Sequence, residues 1–410
     1  MNVKILPKKT IGGRIRVPGD KSISHRALIL GAIAWGETNI AGFLPGEDCL
    51  ATARCLGQLG VDVNIHGNTA RITGRGLRSM RPPQGVLDVG NSGTTLRLLT
   101  GLLAGQRFDS VLDGDESIRR RPMDRVVMPL TQMGAKIEGN FAPIRITGVQ
   151  LQGIHYKMPI NSAQVKSAIM LAGLYAKGET RIEEPGYGLT RNHTEIMMEY
   201  MGGRNLQGRE IIVPGDFSSA AFFIVAGVLM AEDGLTIENV GVNPTRTGLL
   251  DALGRMGAHI EVKNHRVVCG EEVGDIFVKK SVLKGVVVAG DVVPRMIDEV
   301  PIFAVAALFA EGATIIQDAG ELAVKESNRI AAMTGELGKM GAKIEARQDG
   351  MIIHGGHPLY GAAVDSHKDH RVAMALAVAA LMARGHSVIQ DAGCVGVSFP
   401  GFFGVLEGLG

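Results

Sequence analysis

The sequence predicts an α/β fold of two domains, built from six copies of one unit with about two helices and four strands, three units per domain. Three observations predict it. First, one phrase recurs six times: small polar residues, an Ala/Leu-rich run, a charged or glycine turn, then a strand. Copies begin at Pro18, Asn91, Asn161, Pro214, Asp298 and Asp369. Second, the runs are apolar on nearly every face, as in VAMALAVAAL from Val372, the pattern of a buried helix rather than an amphipathic one. Third, a second phrase of amphipathic helix, glycine stop and alternating strand appears as CLGQLGVDVNI from Cys55, LTQMGAKIEG from Leu130, LGRMGAHIEV from Leu253 and LGKMGAKIEA from Leu337. Self-similarity at regular intervals marks a repeat architecture.

The glycine after each outer helix suits a C-cap in the left-handed region. Alternation through Ala135, Lys136, Ile137 and Glu138 predicts a half-exposed strand. The third unit has ten residues between Gly203 and Pro214, room for one strand instead of a pair. The sixth stops at Gly410 after its second helix. The two N-terminal strands, Val3 to Ile5 and Arg14 to Val17, are therefore expected to complete the sixth unit. One domain then comprises residues 1–19 and 216–410, the other 20–215. The crossovers fall at two turn-forming PGD tripeptides, Pro18 to Asp20 and Pro214 to Asp216.

Composition narrows the function. The chain has 410 residues, 45% hydrophobic but only 4% aromatic, with 56 glycines, so small side chains must do much of the close packing. A net charge of +2 argues against a nucleic-acid-coating surface. Cys49, Cys55, Cys269 and Cys394 contain no C-x-x-C pair, which disfavours a zinc site. Cys49 and Cys55 share a predicted helix and suit buried free thiols. The N-terminus lacks the pattern of a signal peptide, and the apolar run Ile302 to Ala310 is too short to span a bilayer. The expectation is a cytoplasmic monomer with small-molecule partners, no nucleic-acid or membrane partner, no cofactor and no metal.

Each buried helix starts with a polar cluster: Lys21-Ser22, Asn91 to Thr94, Asn161-Ser162, Ser218-Ser219, Asp298-Glu299 and Asp369 to Arg371. Helix N-termini expose unpaired N–H groups and bind anions. Ser, Asn and Asp there also serve as plain N-caps. Capping, however, does not require Lys21, Arg26, Lys166 or Arg371. Further cations are Arg97, the run Arg119 to Arg121, Lys325 and Arg329. Arg121 precedes Pro122 and a new helix, a fixed position, whereas Arg119 and Arg120 suit a solvated face. Asp298, Glu299, Glu326, Asp369 and His370 are acid–base candidates, each beside a cation or at a helix start.

The ordered set PGDKSISHR, GNSGTTLR, RRRPM, SAQVKSA, RNHTE, NPTRTG, VKESNR and DHR resembles the 5-enolpyruvylshikimate-3-phosphate synthase family across essentially the whole chain, with class II-like motifs. The resemblance implies the two-domain enolpyruvyl transferase fold, an inside-out α/β barrel. It implies transfer of the enolpyruvyl group of phosphoenolpyruvate to the 5-hydroxyl of shikimate 3-phosphate, with release of phosphate, by addition and elimination. By similarity Ser22 and Arg26 hold the shikimate carboxylate, and Lys21 also contacts shikimate 3-phosphate. Ser162, Ala163, Gln164, Lys325 and Arg191 hold the 3-phosphate. Phosphoenolpyruvate falls to Lys21, Arg121, Arg329 and Arg371, with Asn91, Gly93, Thr94 and Gln164 close by. Asp298 is the expected base on the 5-hydroxyl and also contacts that substrate. Glu326 is the expected acid on the methylene carbon, with Lys21 and His370 steering charge and protons. Positioning two polyanions implies domain closure.

Some residues depart from the family pattern. A lysine used by some members for phosphoenolpyruvate aligns with Val397, an asparagine near the shikimate hydroxyls with Glu321, and a phosphate-site serine with Ala163. Gly93 is retained where a larger residue excludes the inhibitor glyphosate in some relatives, which implies sensitivity. The nearest alternative is the sister enolpyruvyl transferase acting on UDP-N-acetylglucosamine, but its loop cysteine has no equivalent between Asp115 and Arg120, and Lys21-Ser22 replaces its Lys-Asn pair. An anion-binding repeat protein without catalysis is the alternative of a different class; it would make Asp298 and Glu326 dispensable.

Overall fold

The computed structural model describes residues 1–186 and 190–409. The second unit shows the complete plan. Strand Leu87–Asp88 lies parallel to Ser110–Asp113, which pairs antiparallel with Ile144–Thr147, and that strand pairs antiparallel with Lys136–Glu138. The fifth unit repeats it with Val287–Val288, Ala313–Ile316, Gly350–His354 and Lys343–Arg347.

The first and fourth sheets also have four strands, but each takes its outer strand from a distant part of the chain. Glu210–Ile212 lies parallel to Trp35–Ala41, and Gly13–Arg16 lies parallel to Leu235–Gly241. The third sheet keeps two strands, His155–Lys157 and Arg181–Glu183. The sixth has three, with Val3–Ile5 antiparallel to Ser387–Gln390. The expectation that both N-terminal strands complete the sixth unit therefore needs correction: the first does, the second joins the fourth unit. Arg14 and Arg16 both pair there with Glu238 on the adjacent strand, at 2.8 and 3.1 Å.

Each crossover thus hands the chain from a sheet of one domain to a helix of the other. The two cross side by side. Asp20 N–H donates to the Pro214 carbonyl and Asp216 N–H to the Pro18 carbonyl, both at 2.8 Å. A Cβ on Gly19 would sit 1.8 Å from the Gly42 carbonyl oxygen, so only glycine fits.

The buried apolar side chains form two separate cores, one drawn from residues between 23 and 213, the other from residues 217 onward together with Ile5 and Ile11. At their centres lie the six predicted helices: Lys21–Ile33, Gly93–Ala104, Ala163–Gly173, Phe217–Met230, Val300–Leu308 and His370–Leu381. Every residue of the last two is buried. Small residues let them touch by backbone, since a Cβ on Gly101 would lie 2.2 Å from the Ala168 carbonyl oxygen. The outer helices Glu47–Gln58, Asp124–Gln132, Gly248–Arg255 and Arg329–Lys339 are followed by Gly60, Gly134, Gly257 and Gly341, all in the left-handed region. Cys49 and Cys55 are free and buried, and burial pushes the Cys55 thiol up to about 12. Among the described residues, no helix is long and apolar enough to cross a membrane.

Candidate active site

The starts of the six buried helices converge on one cavity between the domains. Five of the helices carry their own cap. Asp20, Ser92, Ser162, Asp216 and Asp369 accept from Ile23, Thr95, Val165, Ser219 and Arg371 N–H groups, at 2.9 to 3.4 Å. Capping accounts for those side chains. The helix Val300–Leu308 has no side-chain cap bond, which leaves Asp298, just before it, to face the cavity.

The first domain lines the cavity with Lys21, Ser22, Arg26, Gly93, Thr94, Arg121, Ser162, Ala163, Gln164 and Arg191. The second contributes Asp298, Lys325, Glu326, His370 and Arg371. Two expected residues stand elsewhere. Asn91 is exposed, and its Oδ1 accepts from Arg121 Nη2 at 2.7 Å, so it orients that arginine from outside. Arg329 is 1% exposed, since three carboxylates converge on it: Asp369 at 2.8 Å, Glu326 at 2.6 Å and Asp298 at 3.3 Å. It anchors the wall. Lys166 also lies outside the cavity, buried against Glu184 and Glu195 at 3.0 and 2.6 Å. Arg119 and Arg120 are solvated.

The carboxylates in the cavity are held by cations. Asp298 accepts from Arg191 and lies 3.5 Å from Arg371. Burial would raise its carboxyl, but Arg371, Arg191, Lys325 and Arg329 outweigh it and hold the group well below the usual range. Burial likewise opposes ionisation of Glu326, and Arg329, Arg121, His370 and Lys21 hold it well below its usual value. Lys21 is buried yet kept charged by Asp48 at 3.1 Å. Burial, then Lys21 and Arg371, push His370 down to about 4, so its ring is neutral at pH 7. Burial also lowers Arg26 to about 10. Arg26 is held rigidly: Nε donates to Thr194 Oγ1 at 2.6 Å, Nη2 to Ser167 Oγ at 2.8 Å and Nη1 to the Ser22 carbonyl at 2.9 Å.

Sequence reasoning named Arg97 only as a candidate cation and assigned no site role to Asp48, Arg125 or Arg246; all four line the cavity. Arg97 donates to Gln164 Oε1 at 2.8 Å, fixing that amide against Thr94. Arg125 meets Glu321 across the mouth. Arg246 was visible within NPTRTG, a motif whose proline and threonines fix the backbone around it. Asp48 carries no signal, because its partner Lys21 is 27 residues away. Among the described residues, nine Lys and Arg side chains and six carboxylates line the cavity, an arrangement suited to binding and reacting small polyanions.

Comparison with known proteins agrees in fold and family. The profile of EPSP synthase (3-phosphoshikimate 1-carboxyvinyltransferase) matches residues 5–406. A 3-phosphoshikimate 1-carboxyvinyltransferase from Thermoanaerobacter sp. is 53% identical, with all of both chains covered. One from Geobacter metallireducens is 52% identical over 98% of each chain. A solved EPSP synthase from Acinetobacter baumannii superposes with a TM-score of 0.88 at 43% identity, covering 99% of this chain and 97% of that one.

Proposed function

The chain belongs to the EPSP synthase family, and on that premise we propose which of its residues carry out each part of the reaction. The reaction is transfer of the enolpyruvyl group of phosphoenolpyruvate to the 5-hydroxyl of shikimate 3-phosphate, yielding phosphate, in the shikimate pathway to aromatic amino acids. The observation that carries the assignment is the meeting of cations from one domain with Asp298 and Glu326 from the other in a single cavity.

Shikimate 3-phosphate binds with its carboxylate at Ser22 and Arg26. Its phosphate lies at the helix start Ser162, Ala163 and Gln164, with Lys325 and Arg191. Phosphoenolpyruvate binds at Lys21, Arg121 and Arg371, beside Gly93 and Thr94. The buried Arg329 supports this subsite from behind. Substrate anions compete with Asp298 and Glu326 for the same guanidinium groups. As phosphate and carboxylate oxygens take over Arg191, Arg371 and Arg121, both carboxyl groups lose the charges that depress them, and their proton affinity rises. Asp298 then accepts the proton of the 5-hydroxyl. Glu326 protonates the methylene carbon, making the central carbon electrophilic, and later removes a proton as phosphate leaves. His370, neutral at pH 7, relays protons beside Lys21.

Two separate cores support a division into residues 1–19 with 216–410 and residues 20–215. The domains are the two halves of the reaction site, and the chain acts as a cytoplasmic monomer.

The test is phosphate release from phosphoenolpyruvate, with and without shikimate 3-phosphate. Release dependent on both is expected. Release with UDP-N-acetylglucosamine in place of shikimate 3-phosphate would overturn the substrate assignment.

A further inference from the structure

We propose that His193 is a positioning residue that ties closure of the two domains to the placement of Arg26 and Arg191; this rests on the reading above that those arginines hold shikimate 3-phosphate. His193 does not itself line the substrate cavity. It acts through its neighbours.

The segment Arg191 to Glu195 sends each successive side chain to a different partner. Arg191 donates to Asp298. Asn192 Oδ1 accepts from Asn243 Nδ2 at 2.8 Å. His193 Nδ1 lies 2.7 Å from Glu271 Oε1. Thr194 Oγ1 accepts from Arg26 Nε at 2.6 Å, and Glu195 pairs with Lys166 at 2.6 Å. The first three partners belong to the second core's half of the chain, the last two to the first. One short segment thus joins the other domain on one side and fixes the substrate arginine Arg26 on the other.

The His193–Glu271 contact is built for this. The two residues are 2% and 4% exposed. The second Glu271 oxygen accepts from Asn243 Nδ2 at 3.2 Å. Arg246 Nη1 lies 3.4 Å from His193 Nε2 and 3.1 Å from Asp20 Oδ2, the cap of the helix that begins at Lys21. Arginine only donates, so Nε2 accepts and Nδ1 carries the proton given to Glu271. The hairpin turn before Glu271 sits on the helix His193–Tyr200, since a Cβ on Gly270 would lie 2.8 Å from Ile196 Cγ2. The bonds from Asn192 and His193 to Asn243, Glu271 and Arg246 all cross the boundary between the domains. Losing one partner strands the other in a buried site, the costly way to break a hydrogen bond. The loss is felt at Thr194, the next residue, and through it at Arg26.

The experiment is steady-state kinetics of His193→Ala, Glu271→Ala and the double variant, with thermal unfolding to confirm that each is folded. Each single change should raise KM for shikimate 3-phosphate about tenfold, the scale of one buried charge-assisted bond, while KM for phosphoenolpyruvate moves less than about twofold. The double variant should be no worse than the worse single one, because both remove the same link. Glu271→Gln keeps an acceptor for Nδ1 and should stay within about threefold of the parent. An unchanged KM for shikimate 3-phosphate in folded variants, or a double variant whose effect is the product of the singles, overturns the proposal. Should the alanine variants not fold, Asn243→Ala must raise the same KM, and an unchanged value there overturns it equally. Arg26→Ala separates the two readings. If it raises this KM and His193→Ala does not, the link fails alone; if Arg26→Ala has no effect, the assignment of Arg26 fails.

Discussion

The two walls of the cavity carry opposite charge patterns on the same architecture. The wall from the first core places six Lys and Arg side chains against one carboxylate, Asp48, whereas the wall from the second places five carboxylates against Arg246, Lys325 and Arg371. Both walls are made of buried helix starts, so the repeat does not set the difference. The residues beside the helix starts and in the loops that lead into the cavity do. One wall is mostly cationic. The other is mostly acidic, and it docks on the first through Arg121–Glu326, Arg125–Glu321 and Arg191–Asp298. On the proposed assignment, substrate anions and enzyme carboxylates share one set of cations, which would couple binding to acid–base readiness.

The largest way to break this comparison is to neutralise the second wall. Asp298→Asn and Glu326→Gln should each lower turnover at least about a hundredfold, the scale of general acid–base catalysis, while substrate binding persists. Equal losses in binding and turnover would make these residues structural.

The pH dependence of stability comes next. His370 is depressed to about 4 from 6.5, so the unfolded chain takes up its proton first as pH falls. Its contribution is therefore lost between pH 6.5 and about 4. Asp298 and Glu326 are depressed below 3.8 and 4.5, so theirs is present above those values and lost further down, as pH falls through the folded ones. Denaturant titrations of His370→Gln should show the upper slope reduced by up to about 1.4 kcal/mol per pH unit, with the lower loss intact. His25, also depressed by burial, contributes to what remains of the upper slope.

A smaller effect sharpens the first wall. A Cβ on Gly93 would approach Arg121 Nη1 and Arg97 Nη1 to 3.0 Å, and both are ends of flexible side chains. Gly93→Ala should displace them and raise KM for phosphoenolpyruvate roughly threefold to tenfold, the cost of moving a side chain off its rotamer. The smallest effect is at the mouth. Arg125 and Glu321 are 45% and 38% exposed, so Arg125→Ala should change kcat/KM less than about twofold at physiological salt. A larger loss would show that rim charges, and not the inner pairs, draw the walls together.

The repeats were legible because burial imposes apolar runs, and because the glycines after the outer helices need the left-handed region. The pairing of the terminal strands was not. Gly13–Arg16 and Glu210–Ile212 carry no sign of which sheet they join, and the side-by-side crossover at Gly19 and Gly215 decides it. In the site, motif order placed Lys21, Arg121, Asp298 and Arg371 at one cavity. It did not reveal that Arg329 is enclosed by Glu326, Asp298 and Asp369, because that depends on three carboxylates converging from different helix starts and loops. Nor did it pair His193 with Glu271, since the partners lie 78 residues apart and in different domains.

The most direct test of the central claim is the reaction run in deuterated water, with the product's methylene group followed by proton NMR. If Glu326 delivers a solvent-exchangeable proton to that carbon and one hydrogen of the resulting methyl group is then removed, deuterium must appear at the methylene of the product. Glu326→Gln should suppress it together with turnover. A product formed at full rate with an unlabelled methylene group would contradict addition and elimination through Glu326.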